Sequence, residues 1–248
     1  MTEPMIEVRD LYKSFGGNQV LKGVSLMIER GTTTVVLGGS GSGKTVLMKH
    51  IMGLFKPDKG EVIVDGENVS AMDRQELAKF RTRMGMVFQS AALFDSMTVG
   101  ENVAFPLREH TKLPEEQIQA RVREKLAVVE LRGVEEKFPA ELSGGMRKRV
   151  GLARAIVRDP KIVLYDEPTT GLDPLTTESV DEMIISAREK LGVTSVVISH
   201  DIGSAFHIGD VIAMLHDGRI VEMGPPEKLR RSKEPHTQHF LATWFGRA

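Results

Sequence analysis

Gly38-Gly39-Ser40-Gly41-Ser42-Gly43-Lys44-Thr45 constrains this chain more than any other stretch, because it satisfies G-x-x-x-x-G-K-[ST] in full. Upstream, Thr33-Thr34-Val35-Val36-Leu37 is β-branched and apolar; downstream, Val46 to Met52 carries apolar residues at helical spacing. Strand, glycine loop and helix in that order turn backbone N–H groups and the positive end of a helix toward anionic oxygens. In that arrangement the loop holds a nucleotide's phosphates, Lys44 reaches the β- and γ-phosphates, and Thr45 offers its hydroxyl to Mg²⁺. A flexible Gly/Ser turn accounts for the glycines but not for Lys and Thr directly after them. A dinucleotide-binding G-x-G-x-x-G fails because Val46 stands where the third glycine belongs.

Three further stretches are buried-strand patterns that end in polar residues. Met84 to Phe88 ends at Gln89, Ile162 to Tyr165 ends in Asp166 and Glu167, and Thr194 to Ile198 is followed by Ser199 and His200. Open α/β sheets bind ligands outside the carboxyl ends of their strands, so all three belong with the glycine loop. Beside a phosphate loop, Asp166 fits a role toward Mg²⁺, and Glu167 can orient and deprotonate a water. Ser143 N-caps a predicted helix over Arg147–Val157, and Gly144-Gly145 leave its first N–H groups bare, which makes a second candidate anion site. The cations of that helix, Arg147, Lys148, Arg149 and Arg154, are read as a solvated face rather than a nucleic-acid patch. Phe15, just before Gly16-Gly17, is the candidate for stacking on a flat base, with Tyr12 second and ordinary core packing as the competing account.

The rest of the chain is organised around these stretches. Ile6–Arg9 alternates like an edge strand, Val20 to Leu26 holds a second, and Glu61–Val64 a third, with helices expected over Asp73–Arg83 and Leu175–Leu191. Residues 98–138 read as a mostly helical insertion, including Glu115–Val129, with Pro106, Pro114 and Pro139 as punctuation. Val211–Leu215 and Arg219–Glu222 form a hairpin around Asp217-Gly218. A helix over Thr237–Phe245 gathers Phe240, Leu241, Trp244 and Phe245 for docking on its own domain or on a partner. At 248 residues with 41% hydrophobic and 27% charged residues, the chain suits one large α/β domain. A net charge of −1 gives no global footprint for nucleic acid, no apolar run approaches the roughly 20 residues of a membrane span, and there is no cysteine for a disulfide or thiolate metal site. The first residues lack the basic start and apolar core of a secretory signal.

GGSGSGKT, Gln89, Leu142-Ser143-Gly144-Gly145-Met146, the run Ile162–Glu167, Gly171-Leu172-Asp173 and His200 stand together in an order that resembles the ABC-type ATPases over nearly the whole chain. The resemblance implies an α/β phosphate-loop ATPase core with an N-terminal antiparallel β subdomain and an inserted helical subdomain. The core would cover about 1–90 and 159–224, the helical subdomain about 91–158, and a C-terminal helical segment about 225–248. It implies ATP and Mg²⁺ as ligands and a head-to-tail dimer, in which ATP on Gly38–Thr45 of one copy is covered by Ser143, Gly144 and Gly145 of the other. It also gives Gln89 a contact to Mg²⁺ and the attacking water, Glu167 the general-base role, Asp173 a role across the dimer, His200 a contact to the γ-phosphate, and Phe15 the adenine-stacking position. Met146, Thr170-Gly171 and Phe15 depart from the commoner residues of the family, and the catalytic groups are retained. Within the family, Phe88–Phe94, Asn102–Thr111 and the LSGGM stretch resemble the ATPase subunit of the Mla phospholipid transporters. That likeness implies an MlaE-type permease, an MCE-domain protein, a STAS-domain subunit, and a peripheral location on the cytoplasmic face of the inner membrane. The alternatives are another transporter's ATPase, or a soluble one acting on nucleic acid or ribosomes.

Overall fold

The structure, a computed structural model, describes residues 3–246. In chain order its elements are β1 (Ile6–Phe15), β2 (Asn18–Ile28), β3 (Thr33–Leu37), α1 (Lys44–Ile51), β4 (Lys59–Val64), β5 (Glu67–Asn68), α2 (Arg74–Arg81), β6 (Met84–Val87), α3 (Val99–His110), α4 (Glu115–Val128), α5 (Gly144–Ile156), β7 (Ile162–Asp166), α6 (Pro174–Leu191), β8 (Thr194–Ser199), α7 (Ile202–Ile208), β9 (Val211–His216), β10 (Arg219–Gly224), α8 (Pro226–Arg230) and α9 (Pro235–Phe245). They fall into two compact units, Met1–Arg81 with Val196–Ala248, and Thr82–Ser195, the boundary lying inside β8.

In the first unit an antiparallel sheet has the order β2-β1-β4-β5, and Ile6, Leu11, Leu21, Val24 and Ile28 are fully buried on it. β1 runs on to Phe15, well past the Ile6–Arg9 stretch that alternation marks. Its register on β2 shifts between Val8 and Leu11, between Leu11 and Tyr12, and between Lys13 and Ser14, with Asp10 at φ 43°. Each shift breaks the period of two, so strand residues 12–15 look like a turn in the sequence. The unit's other strands run in the order β10-β9-β3-β8, with β3 parallel to β9 and β10 antiparallel to it. All of β3 is buried, which is why it reads as a continuous apolar run. The β9–β10 turn has positive φ at both Asp217 (44°) and Gly218 (71°), as a two-residue hairpin requires. Glu234 caps α9 by accepting from Thr237 N at 2.6 Å, and Pro235 occupies its first turn. Leu241 is buried within this unit, while Trp244 stays 53% exposed although its ring lies against Gly203. The side chain of Phe245 lies outside the described residues.

In the second unit β6 and β7 pair in parallel, from Met84 opposite Ile162 to Val87 opposite Tyr165. Phe88, expected as the last strand residue, lies just past β6 and is 42% exposed. Thr98 and Glu101 form a capping box that starts α3. Pro106 does not punctuate as expected: α3 runs through it, because burial of Val99, Val103, Ala104 and Leu107 outweighs the missing N–H. Pro114 and Pro139 do stand at element starts, before α4 and in a short turn of 3-10 helix.

Candidate active site

In the first unit, β3 delivers the chain to the glycine loop and α1 begins at Lys44, immediately after Gly43. Gly43 has φ 106°, and an added Cβ would meet Leu21 Cδ2 at 2.9 Å, so only glycine closes this turn. Opposite it, the hairpin turn supports the loop: Gly218 N donates to Ser42 O at 3.2 Å, and Lys22 N donates to Gly218 O at 2.8 Å. The Lys44 side chain is largely buried and folds back, its Nζ donating to the carbonyls of Gly38 (2.8 Å) and Gly39 (2.9 Å). Gly39, Ser40, Gly41 and Thr45 are exposed, so backbone N–H groups and the Thr45 hydroxyl are open to a ligand. These residues fit a triphosphate with its Mg²⁺: a glycine cradle that a Cβ would fill, a cation within the loop, and a free hydroxyl at the helix start. His200 follows β8, the neighbour of β3, and is exposed. Phe15 ends β1 at 42% exposure, against Phe55 (centroids 5.3 Å apart) and with Lys13 Nζ 5.5 Å from its ring centre. That exposure disfavours ordinary core packing for Phe15.

In the second unit the register fixes a shared edge. Val87 opposes Tyr165, so Gln89 and Glu167, each two residues further on, leave neighbouring parallel strands at the same end. Asp166 ends β7 half-buried; Glu167 stands at φ 49°, and its Oε2 accepts from Thr170 Oγ1 at 3.0 Å. A carboxylate on a left-handed residue, steadied by a hydroxyl, is a strained and directed group.

Also in this unit, Ser143 caps α5 as expected, its Oγ accepting from Met146 N at 3.2 Å. Asp173 caps α6 in the same manner, accepting from Thr176 N at 3.0 Å, and the Thr176 bonds hold its carboxyl below the usual carboxylate range. The two helix starts adjoin, since a Cβ on Gly145 would meet Thr176 Cγ2 at 3.1 Å. Ser143-Gly144-Gly145 and Gly171-Leu172-Asp173 therefore form one surface with two N-terminal helix ends.

Three of the four cations of α5 overturn the expectation of a solvated face; the fourth, Arg147, is exposed as expected and donates to Leu142 O at 2.5 Å. Lys148 is buried and donates to the carbonyl of Gln89; Arg154 donates to Ala91 O and Ala92 O, each at 2.7 Å. Arg149 bonds Val129 O at 2.8 Å, Glu130 at 2.9 Å and Ser179 Oγ at 2.8 Å. Sequence reasoning missed Asn102 as well. It is fully buried, accepts from Phe94 N (2.8 Å), and donates to the carbonyls of Phe94 (3.1 Å), Met97 (3.1 Å) and Thr98 (2.9 Å). A buried Asn amid apolar helix residues was the available signal, because buried amides are held by hydrogen bonds.

Fold and site together define an ABC-type nucleotide-binding domain, and residues 21–170 match the family model described as ABC transporter. The chain belongs to that family. It is 43% identical over 237 residues to the intermembrane phospholipid transport system ATP-binding protein MlaF of Escherichia coli K12, covering 96% of this chain and 88% of that protein. It is 46% identical over 236 residues to the probable ribonucleotide transport ATP-binding protein mkl of Mycobacterium tuberculosis H37Rv, covering 95% of this chain and 66% of that protein's length. Among solved structures, cbiO1 from Clostridium perfringens, described as part of the ABC transporter complex cbiONQ, superposes with TM-score 0.87 at 30% identity over 99% of this chain and 97% of that one. An ATP-binding cassette solved as a dimer in a post-hydrolysis state with ADP and Pi gives TM-score 0.80 at 34% identity, covering 90% of this chain and 99% of that one.

Proposed function

We propose that this chain is the ATP-hydrolysing subunit of an ABC transporter and energises a separate membrane permease that moves phospholipid between inner and outer membrane. The observation that carries the ATPase reading is the β6–β7 register, which sets Gln89 and Glu167 at one strand end beside Asp166. In this reading Glu167 accepts the proton of the attacking water, Gln89 orients that water, and Lys44 and His200 bear on the γ-phosphate. Thr45, Gln89 and Asp166 would hold Mg²⁺, which when bound neutralises charge on the phosphate oxygens. Gly38 to Gly43 hold the phosphates through backbone N–H groups, and Phe15 stacks on adenine. A second copy, arranged head to tail, supplies Ser143, Gly144, Gly145 and Asp173, the surface with two helix N-termini.

The named relatives differ on cargo. Phospholipid is favoured because this chain spans 88% of MlaF from E. coli and 91% of MlaF from Haemophilus influenzae, against 66% of mkl. Among the described residues no helix is long and apolar enough to cross a membrane, and the reading assigns that crossing to an MlaE-type permease. The chain then sits peripherally on the cytoplasmic face of the inner membrane, with an MCE-domain protein and a STAS-domain subunit completing the assembly. The proposed permease contact is the run Ala91, Ala92, Leu93, Phe94 and Met97; of these Ala92 and Phe94 are exposed, Phe94 packing on Phe105 at 5.0 Å, Leu93 and Met97 are half-buried, and the buried Ala91 supports the run from beneath. An ATPase acting on nucleic acid finds less support, since Lys148, Arg149 and Arg154 of α5 are occupied within the chain. The test is reconstitution of the full chain with its permease in vesicles. ATP-dependent transfer of labelled phospholipid is expected; transfer of labelled ribonucleotide instead would reassign the cargo, and no ATP-dependent transfer of either would reject the transport reading.

A further inference from the structure

The loop after Gln89 is held by side chains from a single face of α5. Lys148 reaches the Gln89 carbonyl, Arg154 forks onto the carbonyls of Ala91 and Ala92 at 2.7 Å each, and Gly151 between them brings the helix against Ala91, where an added Cβ would meet Ala91 Cβ at 3.3 Å. Ala91 and Ala92 stand at φ 62° and 47°, a left-handed pair that alanine adopts only at a cost. Burial pushes the Lys148 ammonium and the Arg154 guanidinium below their ordinary pKa values. Apolar side chains of similar volume would cover this face without the cost of burying two cations. What the cations add is direction: each fixes the position of a carbonyl in a strained stretch. The same helix begins at Ser143-Gly144-Gly145.

Resting on the ATPase reading above, we propose that Lys148 and Arg154 are positioning residues: they fasten the Gln89 loop to α5, so that the helix carrying the LSGGM N-terminus also sets where Gln89 stands. Neither touches the nucleotide. Their loss therefore costs turnover and leaves nucleotide binding in place.

The test uses the full chain with Lys148→Met, which keeps length without a donor, Arg154→Lys, which keeps charge without the fork, and Lys148→Arg as the conservative variant. Lys148→Met and Arg154→Lys should lower kcat about ten- to hundredfold, the scale of a misplaced catalytic group, with ATP affinity and KM within about twofold of wild type. Lys148→Arg should recover most of the rate. In hydrogen exchange, amides 90–95 should exchange at least about threefold faster in the first two variants, with α3 unchanged. Wild-type kcat in folded Lys148→Met and Arg154→Lys, or a fall in kcat matched by a fall in ATP affinity, overturns the proposal. If the wild-type chain does not hydrolyse ATP, it is the ATPase reading that fails, and hydrogen exchange alone decides the clamp: unchanged exchange at 90–95 overturns it.

Discussion

In the loop Gly38–Thr45 the backbone is shaped chiefly by residue type and near neighbours, a left-handed glycine at φ 106° and a lysine folded onto carbonyls five and six residues back, with one backbone bond from Gly218 as outside support, whereas the stretch from Gln89 to Met97 is fastened by side chains from a distance. There Lys148 and Arg154 act across 59 to 63 residues of sequence, and Asn102 closes the far end with bonds to Phe94, Met97 and Thr98. A ligand-holding loop can be written locally when its requirement is bare N–H groups. A loop that must hold one side chain in place needs rigid elements outside itself.

The largest effect that separates the two designs is expected at Gly43. Gly43→Ala puts a Cβ at φ 106° against Leu21, which reshapes the loop and cuts ATP affinity about a hundredfold, about 2.7 kcal/mol of binding. Titration calorimetry should show that loss with little change in melting temperature; unchanged affinity would mean the loop is not set by residue type. Asn102→Ala should do the reverse. It strips the loop of its far anchor and leaves buried carbonyls unsatisfied, at about 2–3 kcal/mol of stability. Denaturant unfolding reads that cost, and a near-neutral result would show that the 94–98 turn is held by other means.

The smallest effect lies on α1, behind the phosphate loop. His50 is buried, with Nδ1 2.7 Å from Val46 O; burial holds its pKa below the ordinary 6.5, reinforced by Lys13 and opposed by the Val46 carbonyl, the nearby Lys56 backbone and Asp58. The native ring is therefore neutral, and the unfolded chain takes up the proton more readily. Its contribution is complete above the unfolded pKa and lost as pH falls through and below it, at no more than about 1.4 kcal/mol per pH unit. Melting temperatures of wild type and His50→Gln should converge as pH drops from about 7.5 to 5.5. Parallel curves would remove His50 from the acid response.

The same contrast explains what could be read in the sequence. Strand-loop-helix around Gly43 and Lys44, the acidic end of β7 and the cap Ser143 were legible because each rests on a residue type at a fixed local spacing; the cap at Asp173 was seen only in the structure. The length of β1 was not, because bulges at Asp10 and Lys13 cancel the alternation. Nor was the run of α3 through Pro106, since burial of its apolar face overrides propensity. Lys148 and Arg154 looked like part of a solvated face because their partners are backbone carbonyls, which any residue type provides.

The comparison of Glu167→Gln with Lys44→Ala tests the central claim that this chain hydrolyses ATP with Glu167 as base. Glu167→Gln keeps the shape beside Thr170 and loses the basicity, so kcat should fall about 10²- to 10⁴-fold while ATP remains bound and holds two copies together, seen as an ATP-dependent dimer by light scattering. Lys44→Ala should lose both turnover and that dimer, because the cation at the β- and γ-phosphates serves binding as well as rate. Near-normal turnover in Glu167→Gln would contradict the account and shift the water-activating role to Gln89 and His200.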